Sequence, residues 1–161
     1  MPKVTEEHRA ARRQQILQAA WIAFSHNGFH ATTMADIIRE SGLSAGAVYG
    51  YYRSKDELIE AAVGQTLGGA LVPFKERLDA GESPDPAEAV SDLLELLTGV
   101  VLEGGIDRSR IVLQAWGESL RNPVIMSTLQ EAYAGMRAML TEVARRQRRR
   151  LRKVLRRPKA R

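Results

Sequence analysis

Two tyrosines, Tyr49 and Tyr51, stand beside a run of three minimal side chains, Ala45-Gly46-Ala47. A phenol hydroxyl serves a phosphate oxygen or a base edge, and a helix start without bulk lets the backbone approach base edges closely. That combination suits duplex DNA better than a reaction. The residues that could do covalent chemistry are badly placed for it. There is no cysteine, which excludes disulfides, thiolate metal sites and cysteine nucleophiles. His8, His26 and His30 do not pair at metal-ligand spacing, so no metal site and no cofactor is expected. Gly117-Glu118-Ser119 lacks the closing glycine of a nucleophile elbow. Gly64 to Gly69 is not followed by the lysine of a phosphate loop. No enzyme is expected.

The elements that must position the tyrosines read as helices throughout. From Glu6 to His26 the apolar residues Ile16, Ala20, Ala23 and Phe24 share one face, and Asn27-Gly28 ends the helix. Thr33 is an N-cap with Asp36 three residues on, and the helix it opens stops at Ser41-Gly42. Ser44 caps a short third helix, about Ala45 to Tyr51. Gly42-Leu43-Ser44 between them is a tight turn of helix-turn-helix length. Glycine is needed there for a left-handed backbone, and Leu43 plugs the angle between the helices. Ser54 with Glu57 forms a capping box for a fourth helix to about Leu71. A fifth opens at Asp85-Pro86 with the stripe Val90, Leu93, Leu94, Leu97, Val101, and Gly104-Gly105 breaks it. A sixth runs from about Arg108 to Leu120. Asn122 caps a seventh with the stripe Ile125, Leu129, Ala132, Tyr133, Met136, Leu140, Val143. The expected fold class is all-α: a three-helix head followed by a helical second half.

The net charge of +5 is unevenly spread. Residues 1–55 carry seven basic and four acidic groups, residues 56–144 six and fifteen, and residues 145–161 eleven and none. A basic head suits a polyanion and an acidic middle does not. At 44% hydrophobic the chain has material for a core. The N-terminal sequence has no signal-peptide pattern, and the longest apolar runs fall far short of the ~20 residues of a membrane helix, so a soluble cytoplasmic protein is expected.

The segment from Thr32 to Leu58 resembles the DNA-binding domain of the TetR family of bacterial transcriptional regulators. The resemblance rests on Gly28, Thr32, Thr33, Ile37, Gly42, Leu43, Ser44, Gly46, Tyr49, Tyr52, Lys55 and Leu58, and covers roughly residues 10–60. Glu118 to Pro123 also resembles the turn before the long helix of that family's regulatory half. The resemblance implies a helix-turn-helix DNA-binding domain over 1–55, a ligand-sensing and dimerisation domain over 56–144, and a ligand-responsive repressor. It would act as a homodimer on a palindromic operator of double-stranded DNA. It implies that Thr33, at the start of the second helix, contacts phosphate, and that Ser44, the cap of the third, belongs to the DNA-binding set. Ala45, Gly46, Ala47 and Gly50 would lie on the groove face, Tyr49 and Tyr51 would contact phosphate or base, and Lys55 would pair with phosphate. Replacing Lys55 by Ala is then expected to make the salt dependence of binding shallower. Tyr52 takes the family's buried aromatic position. The competing readings are an activator without an effector, and a helical protein-interaction module that has lost specific DNA binding.

A small apolar or amphipathic effector is expected among Leu97, Trp116, Met126, Tyr133 and Met136, facing inward from helices five to seven. The family usually has two further amphipathic helices after the seventh. Here Arg145 to Arg157 holds only Leu151, Val154 and Leu155 as apolar residues. Residues 145–161 are therefore expected to be a solvated, poorly packed basic tail, from a truncated or frameshifted gene, with a nucleic-acid-binding tail as the functional alternative. A homodimer weaker than is usual for the family follows.

Overall fold

A computed structural model describes residues 6–82, 84–98, 102–103 and 106–155. They form α1 (Glu6–Ala31), α2 (Met34–Ser41), α3 (Ala45–Tyr51), α4 (Lys55–Asp79), α5 (Pro86–Thr98), α6 (Arg108–Ser119) and α7 (Pro123–Leu155). Between α5 and α6 a two-residue strand β1 (Leu102–Glu103) pairs antiparallel with β2 (Ile106–Asp107), Leu102 opposite Asp107. The fold is all-α apart from this short pairing. No helix among the described residues is long and apolar enough to cross a membrane.

The helix starts follow the capping chemistry of the sequence. The Thr33 hydroxyl accepts from the Asp36 amide while the Asp36 carboxylate accepts from the Thr33 amide, a complete box. Ser44 accepts from the Ala47 amide at 3.3 Å, and Asn122 accepts from the amides of Val124 and Ile125 at 2.9 and 3.3 Å. At α4 the box is displaced by one residue. Ser54 accepts from the Glu57 amide, but Glu57 reaches back to the amide of Arg53. Gly42 takes φ 67°, ψ 13°, the left-handed cap that lets α3 turn away from α2.

Two helix ends differ from expectation. The first helix does break at Asn27-Gly28 as expected, but the helical stretch does not end there. Gly28 breaks it at φ 82°, ψ 165°, a conformation close to glycine-only, and one more helical turn follows to Ala31. The buried Thr32 hydroxyl fastens this turn by sharing its one hydrogen between the carbonyls of Gly28 and Ala23, at 2.7 and 3.1 Å. The fourth helix does not stop at Leu71 but runs through Pro73 to Asp79. Proline costs one backbone hydrogen bond there. The helix continues because Phe74 and Leu78, beyond it, bury against Ala89 of α5 and Val143 of α7.

One apolar cluster ties the head to the rest. Ile16, Trp21 and Phe24 of α1, Ile37 of α2, Val48 of α3 and Tyr52 pack with Leu58, Ile59, Ala62 and Val63 of α4. The same cluster includes Ile111 and Ala115 of α6 and Ile125 and Leu129 of α7. The indole N–H of Trp21 donates to the Ala62 carbonyl at 3.3 Å, and the Arg108 guanidinium lies 4.5 Å over its ring. The division expected after residue 55 therefore falls at the first turn of α4, inside a continuous core.

The basic end of α7 is anchored where it begins. Arg146 pairs with Glu142 at 2.9 Å and donates to the carbonyls of Leu78 and Glu82 at 2.7 and 3.0 Å, capping the end of α4. Arg148, Arg149, Arg150, Arg152 and Lys153 beyond it are exposed on a continuous helix. Residues 156–161 of the expected tail lie outside the described residues.

Candidate nucleic-acid interface

The head presents α3 on its surface. Ala45, Gly46 and Gly50 are exposed, Ala47 is half-buried, and a methyl group built on Gly46 or Gly50 would meet nothing within 4 Å. Val48, between them, is buried in the core and fixes which face of α3 points out. Tyr49 is exposed and Tyr51 half-buried, while Tyr52 is buried as expected, with the Arg13 guanidinium 5.6 Å over its ring. A groove of about 790 Å³ runs between Arg9 and Arg13 of α1 and the small side chains Gly46, Ala47 and Gly50. Glu6 lies in the same wall and pairs with Arg9 at 3.6 Å, so Arg13 and a phenol beside a flat wall are what the groove offers a phosphate backbone next to a base edge.

Thr33 and Ser44 lie at the exposed starts of α2 and α3. The Thr33 hydroxyl is also turned on the Asp36 carboxylate at 2.7 Å, and Asp36 in turn accepts from Arg39 at 2.7 Å. These contacts hold the Asp36 pKa down at about 2, the Thr33 hydroxyl first, then the Thr33 amide, then Arg39. The folded carboxylate is depressed relative to its ordinary value of 3.8. Its contribution to stability is therefore complete above that value and lost as pH falls through about 2. Asp36→Asn should flatten the acid limb of stability between those limits, read by thermal melts from pH 5 downward. Identical acid limbs for variant and parent would show that the box does not carry this dependence.

Lys55 does not extend towards the outer face of α3. Its ammonium donates to the carbonyls of Phe29 at 2.9 Å, His30 at 3.2 Å and Thr32 at 3.0 Å. From the other side α6 holds the same corner. Arg110 donates to the Ser25 carbonyl at 3.0 Å. Gln114 donates to the Phe24 carbonyl at 3.1 Å and accepts from the Phe29 amide at 2.6 Å. Glu118 lies 3.3 Å from both His30 and Arg121. Sequence reasoning missed Thr32 and Gln114 as positioning groups. Thr32 was visible in the Thr-Thr pair, whereas an isolated glutamine on α6 carries no local signal.

Among the described residues, those expected to line an effector pocket do not enclose one. Trp116 is 47% exposed and lies against Tyr133, ring centres 5.4 Å apart. Tyr133 and Met136 line an open groove of about 740 Å³ along α7 with Gln130, Arg137 and Leu140. Met126 is half-buried one turn from the start of α7. Leu97 is on α5, but its side chain lies outside the described residues. The inward expectation for Trp116 fails because α6 buries Ile111 and Ala115 instead, leaving Leu113 and Trp116 on its outer side, with Leu120 exposed just past its end. Among the described residues no cluster of ligating side chains could hold a metal.

Residues 16–62 match the family model described as bacterial regulatory proteins, tetR family. GusR of Salmonella enterica, a solved structure, is 33% identical with a TM-score of 0.63, over 85% of this chain and 67% of that one. The chain belongs to the TetR family. The HTH-type transcriptional regulator YfiR of Bacillus subtilis is 38% identical over 60% of this chain and 46% of its own length. A regulator from Saccharomonospora viridis, solved in complex with choline, is 25% identical with a TM-score of 0.67, covering 86% of this chain and 72% of that one. This TetR-family chain spans about half the length of the curated relatives it matches, from 43% to 59%. Those relatives are helix-turn-helix transcriptional regulators and repressors. The matched segment is the one that holds α2, α3, Lys55, the buried residues of α1, and Leu58, Ile59 and Ala62 of α4.

Proposed function

We propose that this chain is a DNA-binding transcriptional regulator whose helical second half answers to a small apolar or amphipathic effector, and that it represses transcription as a homodimer on a palindromic operator. The observation that carries the DNA-binding part is the exposed face of α3, with Ala45, Gly46 and Gly50 outward, Tyr49 and Tyr51 beside them, and Arg9 and Arg13 across a groove. Two such faces in a dimer would enter successive major grooves about 34–36 Å apart. The outward apolar row of Leu113 and Trp116 on α6 and Leu120 just past its end supports self-association, because a row of this kind is covered in a stable assembly. The effector part draws on the open apolar groove of α7 and on the choline-bound relative. An effector would act by binding one spacing of the two heads better than the other. The site of action is the cytoplasm, where the DNA is.

Selection of duplexes from a random pool by the purified chain tests the reading. A single enriched palindrome is expected, bound at least ~10³-fold tighter than random duplex at moderate salt. No enrichment, with equal affinity for all duplexes, would sink it.

A further inference from the structure

We propose that the basic end of α7, from Arg145 to Lys153, is a second nucleic-acid surface, which holds the phosphates of duplex DNA without regard to sequence at the end of the molecule away from α3. It goes beyond the reading above and does not depend on α3.

Residues 143–161 contain no acidic group. Arg145, Arg148, Arg149, Arg150, Arg152 and Lys153 are exposed on α7. Spacings of three and four place Arg145, Arg148, Arg149 and Arg152 on one face, and Arg150 and Lys153 widen it. Like charges at these spacings repel, so the free helix is held against its own charge and a polyanion relieves it. The acidic groups at this end of the fold have other partners. Glu142 pairs with Arg146 at 2.9 Å, Glu82 with Arg77 at 2.9 Å and Asp79 with Lys75 at 2.6 Å. Glu142 attracts Arg149 and Arg145 at longer range, but among the described residues none of the six exposed cations forms an ion pair.

The place of this surface sets what it can hold. α4 leaves the head at Lys55, just after α3, and its 25 residues at about 1.5 Å each put its far end roughly 35 Å away. Arg146 caps that far end through the carbonyls of Leu78 and Glu82. The cations therefore project from a seated helix, beyond the reach of a duplex lying on α3, and meet a different stretch of DNA. Phosphates of DNA fit this surface better than a lipid layer does. Five of the six cations are arginines, whose forked guanidinium matches a phosphate with two hydrogen bonds. An interfacial membrane helix buries a broad apolar face, often with Trp or Phe. Residues 145–155 offer only Leu151, Val154 and Leu155, with no aromatic ring.

Binding of the full chain to a random-sequence duplex tests the proposal. Arg148→Gln, Arg149→Gln, Arg152→Gln and Lys153→Gln together remove charge, while Gln keeps a helix propensity close to that of Arg and Lys. They should weaken random-duplex binding about tenfold or more at low salt, and make the slope of log affinity against log salt shallower by about 2 to 4, at ~0.9 per phosphate neutralised. The melting temperature should stay at or above the parent's, since repulsion is relieved. Arg148→Lys, Arg149→Lys and Arg152→Lys together keep the charge and should keep the slope. Gly46→Trp, which blocks the outer face of α3, should still bind random duplex, and the four Gln substitutions should remove that binding. Parental affinity and slope in the Gln variant overturn the proposal, and so does a slope lost equally in the Lys variant. Complete loss of random-duplex binding in Gly46→Trp also overturns it, because all such binding would then belong to α3. Vesicles of phosphatidylglycerol and phosphatidylcholine that retain the parent chain at a salt concentration that releases random duplex would reassign the surface to lipid. If the Gln variant does not fold, Arg148→Gln with Arg152→Gln decides, with a slope shallower by about 1 to 2 expected and an unchanged slope overturning the proposal. A parent chain that selects no palindrome yet shows these slopes loses the regulator reading alone.

Discussion

Gly46→Trp should abolish specific DNA binding while leaving the melting temperature at or above that of the parent. Gly46 lies in the first turn of α3, exposed, with open space where a side chain would begin. Glycine within a helix costs roughly 0.5–1 kcal/mol relative to alanine, so a larger residue there tends to stabilise the free protein. On a groove face the same side chain has nowhere to go. An indole between α3 and the base edges would push the helix back, and phosphate and base contacts would weaken together. A loss of about 100-fold or more in specific affinity is expected, the scale of two or more mismatched base pairs. Gly46→Ala serves as the control, with a similar or higher melting temperature and a far smaller loss. Binding competition against random duplex, alongside calorimetric melts, reads both effects. Parental affinity for Gly46→Trp would mean that α3 does not face the DNA.

Phe24→Ala should be strongly destabilising. Phe24 is fully buried and meets Phe29 edge-to-face with ring centres 5.0 Å apart, across the Gly28 break. Its carbonyl accepts the Gln114 amide. Removing the ring leaves a cavity bounded by α1 and its own last turn, at a cost of about 3–5 kcal/mol. For a chain of this size that corresponds to a melting temperature lower by roughly 6–20 °C. Denaturant titration monitored by far-ultraviolet circular dichroism measures it directly. A change under about 1 kcal/mol would show that the corner repacks freely, and would remove the case for a rigid joint there.

Much of the head was legible because its signals are local. Thr33 with Asp36, Gly42, Ser44 and Asn122 each satisfy or release backbone groups within four residues, and each does so in the structure. The face of α3 was legible for the same reason, since Val48 and Tyr52 on one side leave the small residues on the other. What could not be read depended on partners distant in sequence. The run of α4 through Pro73 is decided by Val143 and Ala89. The fate of the Lys55 ammonium is decided by carbonyls 23 to 26 residues away. Trp116 follows a helical period that fits an inward face equally well, and only the packing of Ile111 and Ala115 turns it out.

The continuity of the core from Ile16 to Leu129 bears on how such regulators diversify. Swapping reading heads between relatives, by recombination or by design, is attractive when a head is self-contained. Here a crossover after residue 55 would part Phe24 and Ile37 from Leu58 and Ile111, and would leave two half-cores that were never matched to each other. A viable chimaera would have to carry α4 with the head, together with the α6 face bearing Arg110 and Gln114. New sequence preferences are then reached more readily by exchanging residues 45–51 within an unchanged frame than by exchanging heads.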